Sequence, residues 1–124
     1  MDPYSSPPID GAAQPRERRP ASPRLQIAQL AADAAAAVPG VVGLQSGPLG
    51  LRMTGGAGRR IDGVVVVALP DGRYDVDLHL VCELIALRPL GERVRAAVHT
   101  ATAADGLGEA LGPVYVHIEE IVEP

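Results

Sequence analysis

Three features of this chain predict an α+β fold, a small mixed sheet of three to four strands with two helices packed on one face, in the order α-β-β-β-α-β. Two stretches carry apolar residues at helical spacing, around residues 27–38 and 90–101. Asp71-Gly72, a strong hairpin-turn pair, separates a run of four valines from a cleanly alternating segment. A strand–helix–strand succession then closes the chain, and a crossover of that kind brings its two strands parallel.

The first helix starts at Ser22-Pro23, an N-cap serine followed by a proline at the first helical position. Ile27, Leu30, Ala31, Ala34 and Val38 mark its buried face, and Pro39-Gly40 ends it. Val41 to Leu44 is a short apolar strand. Residues 46–60 hold six glycines or prolines and read as a loop, with room for a short strand at Leu49 to Met53.

Gly63 to Leu69 is the valine-rich strand, and its hairpin partner runs from Arg73 to about Leu84. In that partner Tyr74, Val76, Leu78, Leu80 and Cys82 share one face, and Arg73, Asp75, Asp77, His79 and Val81 share the other. Pro89 opens the second helix, with Leu90, Val94, Ala97, Val98 and Ala101 inward and Glu92, Arg95, His99 and Thr102 outward; Gly106 follows it. The last strand, Val114 to Val122, puts Val114, Val116, Ile118, Glu120 and Val122 on one face and Tyr115, His117, Glu119 and Ile121 on the other.

Residues 1–22 are rich in Pro, Ser and Arg without periodicity and read as a disordered tail before one domain over residues 23–124. Arg16, Arg18 and Arg19 form a small basic cluster in it, read as solvated, with attraction to anionic lipid or an acidic partner as the sharper alternative. The start of the chain lacks the apolar run of a signal peptide, and no apolar stretch approaches the roughly 20 residues of a membrane helix.

The composition disfavours several functions. The chain has 124 residues, a net charge of −4 and no Lys, which argues against a general nucleic-acid surface. Phe and Trp are absent and only three Tyr are present, so the core is aliphatic and offers no platform for stacking bases or sugars. The single cysteine, Cys82, excludes an intrachain disulfide and fits a reducing, cytoplasmic compartment.

The chemical candidates are few. Gly55-Gly56-Ala57-Gly58-Arg59-Arg60 lacks the Gly-Lys-Ser/Thr of a phosphate loop and leads into a strand, so it reads as a loop. Cys82 lies on the apolar face as a core residue rather than a nucleophile. His79 and His117 share a face if their strands are neighbours, and with Asp77 or Glu119 they are a candidate metal site; solvated strand residues are the simpler reading. Asp75 and Asp77 project from one face about 7 Å apart and read as solvated or paired with Arg73 rather than as a catalytic pair. We expect no cofactor. Asp75, Asp77, His79, His117 and Glu119 mark instead a half-apolar sheet face suited to contact with another protein.

The ordered set Ile27-Ala28, Ala31-Ala32, Val38-Pro39-Gly40-Val41, Gly63-Val64, Val76-Asp77-Leu78-His79-Leu80 and Val114-Tyr115-Val116-His117-Ile118 resembles the alkaline shock protein family, over residues 23–122. Gly47, Gly50, Thr54 and Gly58-Arg59-Arg60 resemble its actinobacterial variant. The resemblance implies a non-enzymatic, self-associating cytoplasmic protein. It also implies recruitment to the membrane by a separate anchor protein and a role in the envelope stress response and cell-envelope homeostasis. A small-molecule-binding regulatory domain is the alternative, and an enzyme built on Cys82 or on the His79/His117 pair is a third.

Overall fold

A computed structural model of the protein describes residues 22–123; the tail expected over residues 1–22 lies outside it apart from Ser22. Helix α1 spans Pro23–Ala36, β1 Val41–Leu44, β2 Met53–Gly56, β3 Arg59–Asp62, β4 Val64–Ala68 and β5 Tyr74–Glu83. Helix α2 spans Leu87–Ala104, a 3₁₀ turn Gly108–Ala110, and β6 Leu111–Val122. The architecture is α+β, with the expected order enriched by one hairpin.

Ser22 caps α1 as its sequence predicts. Its hydroxyl accepts from the Leu25 amide at 3.2 Å, and Pro23 stands at the start of the helix. Leu25, Ile27, Ala28, Ala31 and Ala35 are the residues α1 buries, whereas the expected Leu30 and Ala34 are only half-buried, so the inward stripe is rotated from the one read off the spacing. Small alanines let the helix lie close to the sheet and to α2.

β5 is the axis of the sheet. β6 pairs with it in parallel along its whole length, from Tyr74↔Leu111 to Glu83↔Val122. The opposite edge of β5 is shared by two antiparallel strands placed end to end, β4 against residues 74–78 and β1 against residues 80–82. Gly63 sits at their junction: the His79 amide donates to its carbonyl at 2.8 Å, and the Gln45 amide donates to the His79 carbonyl at 3.0 Å. The hairpin turn forms where Asp71-Gly72 predicts it. Gly72 has φ +87°, and the Asp71 side chain accepts from the Arg73 amide at 3.0 Å.

The helices cover one face of this sheet. Val64, Val66, Val76, Leu78, Leu80 and Cys82 from the sheet meet Leu90, Val94 and Val98 from α2 and the buried residues of α1. Thr102, expected outward, is fully buried instead. Its hydroxyl donates to the Val98 carbonyl at 2.9 Å, which removes the cost of burying it.

Residues 46–60, expected to form a loop with a short strand at Leu49 to Met53, contain a separate antiparallel hairpin, β2–β3, paired from Met53↔Asp62 to Gly56↔Arg59. Its attachment to the sheet explains why Thr54 is buried. The Thr54 hydroxyl donates to the Val64 carbonyl at 2.7 Å and accepts from the Val66 amide at 3.2 Å, occupying the outer edge of β4 in place of a further strand. Ile61 of β3 enters the core. Arg24 of α1 donates to the Gly55 carbonyl at 2.6 Å and ties the hairpin to the helix.

A bulge corrects the reading of the last strand. Leu80 pairs with Ile118 but Val81 pairs with Glu120, so Glu119 is extra and the alternation inverts beyond it. Glu120 therefore stands opposite Val81 of the open face, and Ile121 opposite Cys82 of the covered one.

Candidate functional site

The five residues singled out on the open face lie on adjacent strands. Asp75, Asp77 and His79 come from β5, and His117 and Glu119 from β6. Parallel register puts His79 directly beside His117, and their rings stack with centroids 4.7 Å apart and planes 10° from parallel. The condition on which their proximity depended, that their strands be neighbours, is met.

Two carboxylate–imidazole pairs flank the stack. His79 Nδ1 donates to Glu119 Oε2 at 2.7 Å, and His117 Nε2 donates to Asp77 Oδ1 at 2.7 Å. The second Glu119 oxygen takes an ion pair from Arg52 at 2.8 Å. The hydrogen bond from His79, with Arg52 behind it, holds the Glu119 carboxyl below its ordinary range. An ionised Glu119 can only accept, which fixes the proton of His79 on Nδ1.

His79 is not the solvated strand residue that alternation suggests; it is 9% exposed. The stacked His117 ring and the Glu119 side chain cover it, and the β1–β4 junction engages its backbone. Asp75 departs from expectation too. Arg73 turns away to Asp71 at 2.9 Å, and the buried Oδ1 of Asp75 has no partner among the described residues.

The side chains of this arrangement satisfy one another and do not converge on a reacting centre. Each imidazole presents one nitrogen to its own carboxylate, and among the described residues no group of three or more His, Cys, Asp or Glu side chains is arranged to hold a metal. Cys82 is fully buried on the opposite face, and burial raises its thiol pKa, which is the reverse of what activates a nucleophile.

A groove lies elsewhere, along the outer side of β6. Leu87, Arg88, Glu92 and Arg95 of α2 form its wall and Val116 and Ile118 its floor, and it encloses about 290 Å³. The sequence places Arg95 on the outer side of α2, where it is exposed. Arg95 donates from Nε to the Val114 carbonyl at 3.0 Å. The signal available in the sequence was the pairing of a strand with alternating valines with a helix carrying arginines on its outer side; the strand order that makes β6 an edge was not readable.

The chain matches no protein-family model, and no curated protein or solved structure matches it. No helix among the described residues is long and apolar enough to cross a membrane.

Proposed function

We propose that this is a non-catalytic protein that self-associates through its sheet and works as an assembly module. The observation that carries the reading is the outer edge of β6, a 12-residue strand that pairs only with β5 among the described residues. An edge strand whose outward backbone is met, at Val114, by a single side-chain bond from Arg95 is a template for another strand. Val67, Tyr115 and Ile121 add exposed apolar surface on the same sheet, at 49%, 47% and 43%. The histidines and carboxylates satisfy one another instead of facing a cleft.

The resemblance to the alkaline shock protein family extends this reading to the cell. The protein would act at the cytoplasmic face of the membrane, held there by an anchor protein, in envelope homeostasis under stress. Light scattering after size exclusion, over a wide concentration range, tests the self-association, with the full chain and with a chain starting at Ser22. Growth in mass that persists without the tail supports it. A monomer at every concentration that also captures no partner in a pull-down refutes it.

The groove between α2 and β6 favours a second reading, a regulatory domain that binds a small molecule. That reading requires a ligand that raises the melting temperature, and Arg88→Ala must abolish the rise.

A further inference from the structure

We propose that two copies of this chain join by antiparallel pairing of their β6 strands about a two-fold axis through Val116, making one continuous sheet. The inference rests on the self-association reading above and specifies the surface, the register and the partner, a second copy of the chain.

The direction of the backbone groups comes first. The amide and carbonyl of His79 are taken up by Gly63 and Gln45 on the β1–β4 side of β5. Alternation then turns Leu78 and Leu80 toward β6. In a parallel ladder each of these bonds to the two residues flanking its register partner, which for Leu78 is Val116. Tyr115 and His117 thus carry the bonds to β5, while Val114, Val116 and Ile118 direct their amides and carbonyls outward. The bond from Arg95 Nε to the Val114 carbonyl agrees with this assignment. That carbonyl retains a second lone pair for an incoming amide.

The ends of the open run come second. The register shift between the pairs Tyr74↔Leu111 and Val76↔Val114, which ends at Pro113, breaks the alternation on one side, and the bulge at Glu119 breaks it on the other. Pro113 and Glu119 both lie three residues from Val116, on opposite sides. The segment between them, Val114-Tyr115-Val116-His117-Ile118, has the same pattern read in either direction, apolar at its ends and centre with a ring at each intervening position.

A two-fold axis at Val116 uses that symmetry. Val116 meets its own copy, and Val114 meets Ile118 of the second copy; outward residues paired in this way exchange both backbone bonds. These side chains lie on the helix-covered side and extend the apolar floor of the groove from one copy to the next. On the open face Tyr115 meets His117 of the second copy at a non-hydrogen-bonded position, where side chains approach most closely. Since His117 already stacks on His79, Tyr115 of the second copy continues the stack. Moving the axis to His117 sets two histidines against each other and places Tyr115 opposite the bulged Glu119, losing both matches. An unrelated extended peptide has no reason to match both ends of the run, which is why the symmetry selects a second copy.

Two measurements on the full-length protein test this. Val116→Pro removes an outward amide without touching the ladder to β5. It is expected to shift the dimerisation constant at least tenfold toward monomer, with an unchanged circular dichroism spectrum. Cysteine scanning reads the register independently of folding losses. A mixture of Tyr115→Cys and His117→Cys chains is expected to cross-link on mild oxidation, while either variant alone does not, because only the mixed pair comes within disulfide reach. A wild-type protein that never dimerises refutes the self-association reading and this interface together. A dimer that tolerates Val116→Pro, that cross-links in another combination, or that disappears only on removal of residues 1–21 refutes this interface and leaves self-association standing.

Discussion

Glu119 connects three parts of the chain through two oxygens, accepting from His79 of β5 with one and from Arg52 of the loop before β2 with the other. Its carboxyl pKa is lowered in the folded protein, first by the His79 hydrogen bond and then by Arg52. A depressed folded pKa contributes stability that is complete above the unfolded value, 4.5, and is lost as pH falls through the folded value. Wild-type protein should therefore lose urea resistance on acidification below pH 4.5. Glu119→Gln should lower the midpoint at pH 7 and flatten that acid slope. An identical acid slope in wild type and variant would show that the Glu119 contacts do not persist in solution. The same geometry explains why the sequence misjudged the exposure of His79. Alternation assigns it to the open face, which is right, but a stacked neighbour and an ion pair on that face bury it.

At the scale of elements, a side chain does what a strand would normally do. Thr54 bonds to both the carbonyl of Val64 and the amide of Val66, and it is 1% exposed. Thr54→Val keeps the shape and strands both backbone groups, so it should cost about 1–3 kcal/mol, read as a lower urea midpoint at constant m value. Gly63 is a second joint. Its φ is +79°, and a Cβ there would lie 2.5 Å from Leu44 Cβ and 2.8 Å from the Gln45 amide nitrogen. Gly63→Ala should destabilise by about 2–4 kcal/mol, the sum of backbone strain and overpacking, and should shift the His79 ring resonances because Gly63 accepts from its amide. These two residues also mark where the sequence stopped being legible. The valine run, Asp71-Gly72 and the alternation of β5 each carry a period or a turn signal of their own, and they read correctly. The β2–β3 hairpin consists largely of Gly and Arg, residues without a hydrophobic period. Its existence depends on Thr54 and Ile61 finding the sheet, which is tertiary information.

In the whole molecule, both edges of β5 are paired and one of its faces is covered by the helices, while β6 is covered on one face by α2 and has no strand along its outer edge among the described residues. Strand order decides this, and no local pattern encodes strand order. The alternating valines of β6 announce a strand without saying whether it lies in the middle of the sheet or at its edge. Amide hydrogen exchange distinguishes these positions residue by residue. The ladder to β5 should protect the Tyr115 and His117 amides at every protein concentration. The Val116 and Ile118 amides point away from β5 and should exchange quickly in the monomer, giving an alternation of slow and fast along one strand. Raising the concentration through the dimerisation constant should slow those two amides and leave Tyr115 and His117 nearly unchanged, by about tenfold for each 1.4 kcal/mol of association. Uniform protection along residues 114–118 in dilute solution would mean that another part of the same chain already covers the edge. Fast exchange at Val116 and Ile118 even at concentrations where the mass has doubled would move the contact to the open face, around Val67 and Tyr115.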